Sequence, residues 1–143
     1  MFVGEYRHTI DAKKRIAIPS KFRAELGSNG VITRGLDQCL FMFSSEEWGR
    51  LAEKLGSLPL SQQEARGFAR VMLSGAFEVE FDQLGRILIP DYLKEFAGIG
   101  KHVVVTGVYN RIELWDDVRW QEYKEKAETN VGGLAEKLGG LGI

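Results

Sequence analysis

The sequence predicts an α+β fold in which two copies of one β-β-α-β-β-α unit close on each other into a single pseudo-twofold β-structure with peripheral helices. Three observations carry this. A pattern of Asp, Arg, Ile-x-Ile and Pro occurs twice, 71 residues apart. Apolar and polar residues alternate ahead of each copy, and prolines and capping residues mark helix starts at matching places. A half of about 70 residues with four short strands buries little on its own, so the halves are expected to cover one another's edges.

The repeated segments are Asp11-Ala-Lys-Lys-Arg15-Ile-Ala-Ile-Pro19 and Asp82-Gln-Leu-Gly-Arg86-Ile-Leu-Ile-Pro90. The same shift pairs Gly4 with Gly75 and Gly27 with Gly98, and a shift of 72 then pairs Val31 with Val103, Gly35 with Gly107 and Trp48 with Trp120. Seven identities in residues 2–27 and five in 31–54 far exceed what composition alone supplies, roughly one in fifteen.

Each copy begins with a half-buried strand, Tyr6, His8 and Ile10 alternating with Arg7 and Thr9 as Phe77, Val79 and Phe81 alternate with Glu78 and Glu80. A turn leads to a second strand, 15–18 or 86–89, with its isoleucines on one face. Pro19 and Pro90 suit the first turn of a two-turn helix, because the N–H they lack would be unpaired there, and Gly27 and Gly98 suit its C-terminal cap. A second strand pair follows, 31–34 with 40–43 and 103–106 with 112–115. It leads into a longer helix, opened by a capping box at Ser44-Ser-Glu-Glu47 and by Asp116-Asp117 in the second copy. Ser61-Gln-Gln-Glu64 marks another capping box and a linking helix over 61–73. Residues 1–128 are thus expected to form one domain of two repeats, about 2–54 and 73–126. The tail, 129–143, carries five glycines around Leu134 and Leu138 and is expected to be mobile unless a partner holds it.

Composition excludes several classes. The longest apolar run, 39–43, is far too short for a membrane span, which takes roughly 18 residues. No export signal opens the chain, so the expectation is a cytoplasmic protein. One cysteine and two histidines, Cys39, His8 and His102, make neither an intrachain disulfide nor a zinc cluster, and no metal or cofactor is expected. Cys39 reads as a buried strand residue, and no pattern of nucleophile and base suggests an enzyme. Net charge is −1, which argues against nucleic acid, but placement reverses that argument. Residues 1–23 hold six cations against two carboxylates, a local +4, whereas 72–100 hold two against five, a local −3.

The turns carry the chemistry. Asp11 and Arg15 flank a three-residue loop and lie close enough across the hairpin for an ion pair. One reading is a turn lock, since Asp is a good turn starter. The other uses the loop contents: Lys13 and Lys14 beside Arg15 suit phosphate, and the Arg fork suits guanine O6 and N7. Two such hairpins related by pseudo-symmetry could project together like the β-ribbon readers of the major groove.

Asp-x-x-x-Arg followed by Ile-x-Ile-Pro, twice, with Phe2-Val3-Gly4 ahead, resembles the MraZ family of bacterial transcriptional regulators, whose halves are similar to the AbrB-type swapped-hairpin DNA-binding barrel. The resemblance spans residue 1 to about 126. It implies a ring-shaped homo-oligomer, nucleoid-associated, that binds double-stranded DNA at repeated sites in the promoter of the division and cell-wall cluster holding its own gene. It also implies that Asp11, Arg15, Asp82 and Arg86 serve DNA binding; to these the local positive charge adds Lys13 and Lys14 at the first turn and Arg7 as a candidate further phosphate contact. Where the family usually has Lys-Gly before the Arg, this sequence has Lys13-Lys14 and Leu84-Gly85, so the second turn is expected to bind less strongly. An AbrB-like antitoxin or protein-interaction module is the rival reading, with the Gly-rich tail folding onto a partner.

Overall fold

The computed structural model describes residues 1–142 and repeats the predicted element order in both halves. The first half runs β1 (Phe2–Thr9), β2 (Arg15–Ala17), α1 (Ser20–Leu26), β3 (Asn29–Arg34), β4 (Leu40–Phe43) and α2 (Ser45–Gly56). After α3 (Gln63–Ser74) the second runs β5 (Phe77–Glu80), β6 (Arg86–Leu88), α4 (Asp91–Ala97), β7 (His102–Tyr109), β8 (Ile112–Asp116) and α5 (Asp117–Thr129). The tail span contains α6 (Val131–Lys137) and a single 3-10 turn (Gly139–Leu141), neither with a buried residue.

The halves interleave rather than sit side by side. A six-stranded antiparallel sheet has the order β1-β7-β8-β4-β3-β5, so each half's second hairpin pairs with the other half's first strand. β2 and β6 form a separate two-stranded ladder, Ile16 opposite Ile87 at its centre. The expected closed barrel is not formed: the large sheet ends at β1 and β5. Each first hairpin is bonded only around its turn, and β2 and β6 then diverge to pair across the pseudo-axis. One apolar cluster holds this together with side chains of both halves, among them Ile16, Phe22, Ile32 and Met42 with Ile87, Leu93, Val105 and Leu114. A second, on the other face of the sheet, joins Phe43, Leu55, Met72, Val104 and Trp115 beneath the longer helices, with Trp48 and Trp120 packed at its edge.

One pairing of the repeat shifts by a residue. Ile32 lies opposite Met42 and Val105 opposite Leu114, so Ile32, not Val31, is the counterpart that shares the core face of β7. Five residues separate Arg34 from Leu40 but four separate Gly107 from Ile112, and that difference absorbs the slip. Sequence identity had matched Val31 with Val103 and Gly35 with Gly107. In a strand such a one-residue slip moves every side chain to the opposite face, so burial decides against it.

The caps follow the sequence at most sites. Ser44 caps α2, its side chain accepting the Glu47 N–H at 3.2 Å. Pro19 and Pro90 occupy the cap position itself, and their carbonyls accept the N–H groups of Phe22 and Arg23, and of Leu93 and Lys94. The expected capping box at Ser61 does not form, since α3 starts two residues later, after Gln62, without a side-chain cap. Gly107 is required where β1 crosses it: a Cβ there would meet the Phe2 carbonyl carbon and Val3 nitrogen at 2.5 Å.

Candidate nucleic-acid interface

Both Asp-x-x-x-Arg turns adopt one backbone design. In the first, the Asp11 N–H donates to Arg15 O at 2.9 Å and the Lys14 N–H to Asp11 O at 3.0 Å. In the second, the Asp82 N–H donates to Arg86 O and the Gly85 N–H to Asp82 O, both at 3.0 Å. The aspartate is the organiser of each: Asp11 Oδ1 accepts the Lys13 and Arg15 N–H groups, and Asp82 Oδ1 those of Leu84 and Arg86, all at 2.9 Å. These donors favour the ionised form. The Arg15 N–H bond foremost holds the Asp11 carboxyl below the usual range, and the Arg86 N–H bond does the same for Asp82.

The fourth residue of each turn takes a left-handed backbone, Lys14 at φ 63° and Gly85 at φ 74°. Glycine adopts this conformation without strain at the second, and the Arg23 guanidinium lies over it, 2.5 Å from where a Cβ would stand. Lys14 bears the conformation with a side chain, which strains the first turn and aims its ammonium at Asp91, with which it pairs.

The β2–β6 ladder brings the turns together. Gly85 O accepts the Ile18 N–H at 3.1 Å and Lys14 O the Ile89 N–H at 2.9 Å, so each turn is bonded to the opposite half. With Arg15 opposite Leu88 and Ala17 opposite Arg86, the two arginines flank one short ribbon whose isoleucines are buried.

The side chains break this symmetry. The ion pair expected within each hairpin forms only in the second, where Arg86 Nε lies 2.8 Å from Asp82 Oδ2. Arg86 Nη1 also lies 3.4 Å from Asp11 Oδ2, so the partner expected for Arg15 is held by the other half's arginine. Arg15 and Lys13 form no ion pair among the described residues. Arg7, expected as a phosphate contact, stands apart on β1 and pairs with Asp117 and Glu5. Sequence reading also missed Arg23, whose Nε donates to Ile18 O at 3.0 Å and whose guanidinium overlies Gly85. The second turn therefore does have a neighbouring cation, supplied by the first half. The surplus of positive charge in residues 1–23 was its only trace in the sequence.

Other candidates fall away on geometry. Cys39 is buried beside β4, its thiol donating to Leu36 O at 3.2 Å and pushed to higher pKa by burial. Among the described residues no cluster of His, Cys, Asp and Glu could hold a metal ion, and no helix is long and apolar enough to cross a membrane.

Two interleaved repeats, each presenting an aspartate-locked turn with an arginine at its exit, define a duplicated β-hairpin protein whose charged turns are the shared feature of both halves. The profile of the family described as "MraZ protein, putative antitoxin-like" matches residues 1–71 and again 72–137. Relatives named transcriptional regulator MraZ match throughout: that of Halothermothrix orenii is 51% identical and that of Acetivibrio thermocellus 49%, each over 143 residues and all of both chains. That of Natranaerobius thermophilus is 46% identical over 138 residues, 96% of each chain. The chain belongs to the MraZ family.

Proposed function

We propose that this chain is a sequence-specific DNA-binding transcriptional regulator without enzymatic activity, whose two Asp-x-x-x-Arg turns meet double-stranded DNA from one face. The interleaved hairpins fit an AbrB-like swapped-hairpin arrangement. The observation that carries the reading is Arg15, with no carboxylate partner among the described residues, beside exposed Lys13 on a turn fixed by four backbone and aspartate hydrogen bonds and by the cross-half bond from the Ile89 N–H to Lys14 O. Such a group offers a bidentate fork to guanine and a point charge to phosphate without first breaking an internal pair. Asp11 and Asp82 shape the turns, Arg86 and Lys14 stand ready at a cost in broken pairs, and Arg7 is a lesser contact.

A single turn with three cations neutralises about three phosphates, giving a salt slope near −2.7 and weak binding. We therefore read the functional unit as a ring homo-oligomer on repeated promoter sites, where avidity adds a factor of roughly 100 to 10,000. The promoter of its own division and cell-wall cluster is the site that family membership suggests, and the nucleoid the place. Fluorescence anisotropy with the chain's own upstream DNA at two salt concentrations tests this. Saturable binding that exceeds a scrambled fragment and shows a slope steeper than −3 supports it, and equal binding to both fragments refutes it. The rival reading, an antitoxin or protein-interaction module, draws on the uncovered tail; a toxin-sized neighbouring gene whose product binds the tail would favour it.

A further inference from the structure

We infer that Leu84, at the tip of the second turn, reads the C5-methyl group of thymine, so that the second turn selects A·T pairs where the first suits guanine and phosphate. The inference rests on the DNA-binding reading above and names the base pair that one of its two turns meets.

The turns share a backbone, so the third residue of each occupies the same place. Asp11 Oδ1 accepts the Lys13 N–H and Asp82 Oδ1 the Leu84 N–H, both at 2.9 Å. Lys13 is exposed there, and Leu84 is 70% exposed. One tip therefore carries an ammonium group and the other an isobutyl group on the same fixed frame. The fold does not ask for the leucine. Lys13 shows that the turn closes with a charged side chain at this place, and Leu84 belongs to neither apolar cluster. A single exposed leucine elsewhere on a surface needs no explanation. This one stands on a tip that the reading above brings to DNA.

The rest of the second turn leaves the contact to Leu84. Arg86 is held by Asp82 at 2.8 Å and by Asp11 at 3.4 Å. Gly85 has no side chain and lies beneath the Arg23 guanidinium, whose Nε is itself bonded to Ile18 O at 3.0 Å. The strand that leads into the turn adds Glu78 and Glu80, both exposed, and these repel phosphate. An apolar tip beside acidic side chains gains nothing from the DNA backbone. In the major groove, however, the C5-methyl of thymine is the apolar group that a base edge presents, and no G·C pair has it. Exposed Gln83, next to Leu84, adds an amide whose donor and acceptor match N7 and N6 of adenine. Burying one methyl group against the leucine is worth about fourfold in affinity.

The test uses the full chain and its own upstream DNA made twice, once with thymine and once with deoxyuridine throughout. The exchange keeps every base pair and phosphate and removes only the methyl groups. By fluorescence anisotropy the unaltered chain is expected to bind the thymine form tighter, by about fourfold for each methyl engaged. Leu84→Ala changes an exposed side chain, and circular dichroism confirms its folding. It is expected to bind both forms alike and to keep the salt slope, since no charge is lost. Lys13→Ala is expected to do the reverse, keeping the thymine preference and flattening the slope by about 0.9. Equal binding of the two forms by the unaltered chain overturns the inference. So does a preference that survives Leu84→Ala, which assigns the effect to the stiffness of the DNA or to another residue. Either result leaves the DNA-binding reading standing, whereas an unaltered chain that binds the thymine form no better than a scrambled fragment overturns both.

Discussion

Replacing the two arginines one at a time separates their roles. Among the described residues Arg15 has no ion pair, whereas Arg86 bridges Asp82 at 2.8 Å and Asp11 at 3.4 Å. Arg15→Ala removes only what DNA would have touched. A bidentate arginine contact discriminates by about 1–3 kcal/mol, so each engaged site should weaken about 5- to 150-fold, and loss of one cation should flatten the salt slope by about 0.9. The fold should hardly notice: a surface change within about 0.5 kcal/mol moves Tm by less than roughly 2 °C. Arg86→Ala should do the reverse. It leaves Asp11 and Asp82 facing each other without the guanidinium between them, so Tm should fall by more than that while DNA affinity falls less than for Arg15→Ala. Anisotropy at two salt concentrations and thermal unfolding of both variants decide the matter. Equal losses of affinity with equal changes of slope, and equal Tm values, would refute the division of labour drawn from the ion pairs.

Lys14→Gly relieves a left-handed side chain and gives up the Asp91 pair, so unfolding should show unchanged stability or a gain of up to about 1 kcal/mol, with DNA affinity reduced. Ile16→Ala and Ile87→Ala each open the centre of the β2–β6 ladder and should cost about 2–5 kcal/mol in urea titration, by similar amounts because both are fully buried. Ser44→Ala removes the α2 cap and should cost about 1 kcal/mol. Asp11 and Asp82 titrate below the ordinary range, so as pH falls the unfolded chain takes up protons first. Their stabilisation is complete above about pH 5 and is lost as the pH drops through their folded values, and Asp82→Asn should flatten the fall in urea midpoint between pH 5 and pH 3.

Much of this architecture was legible because it was written twice. Alternation over Phe77–Glu80, the Ile-x-Ile pairs and the Ser44 cap are local features, and their physics needs no knowledge of the rest of the chain. What the sequence hid were choices among partners. A strand that is apolar on one face satisfies the same pattern whether β3 pairs within its half or with β5 of the other, so interleaving left no mark. The slip between Val31 and Ile32 was hidden because β3 sets two β-branched residues side by side and β7 runs Val103-Val104-Val105, and only the shared burial of Ile32 and Val105 fixes the register.

The same reasoning explains why the site was only half readable. The turns were visible as Asp-x-x-x-Arg, and the aspartate locks them as its chemistry requires. Which arginine each carboxylate holds depends on how the two halves meet, and the ladder that sets Ala17 opposite Arg86 lets one guanidinium reach both aspartates. Arg23 likewise covers Gly85 only across the halves. Duplication gives the two turns one backbone. Divergence then lets the second turn hold the ribbon together while the first leaves Arg15 and Lys13 without an ion pair among the described residues, and two identical, freely pairing turns could not fill both roles at once.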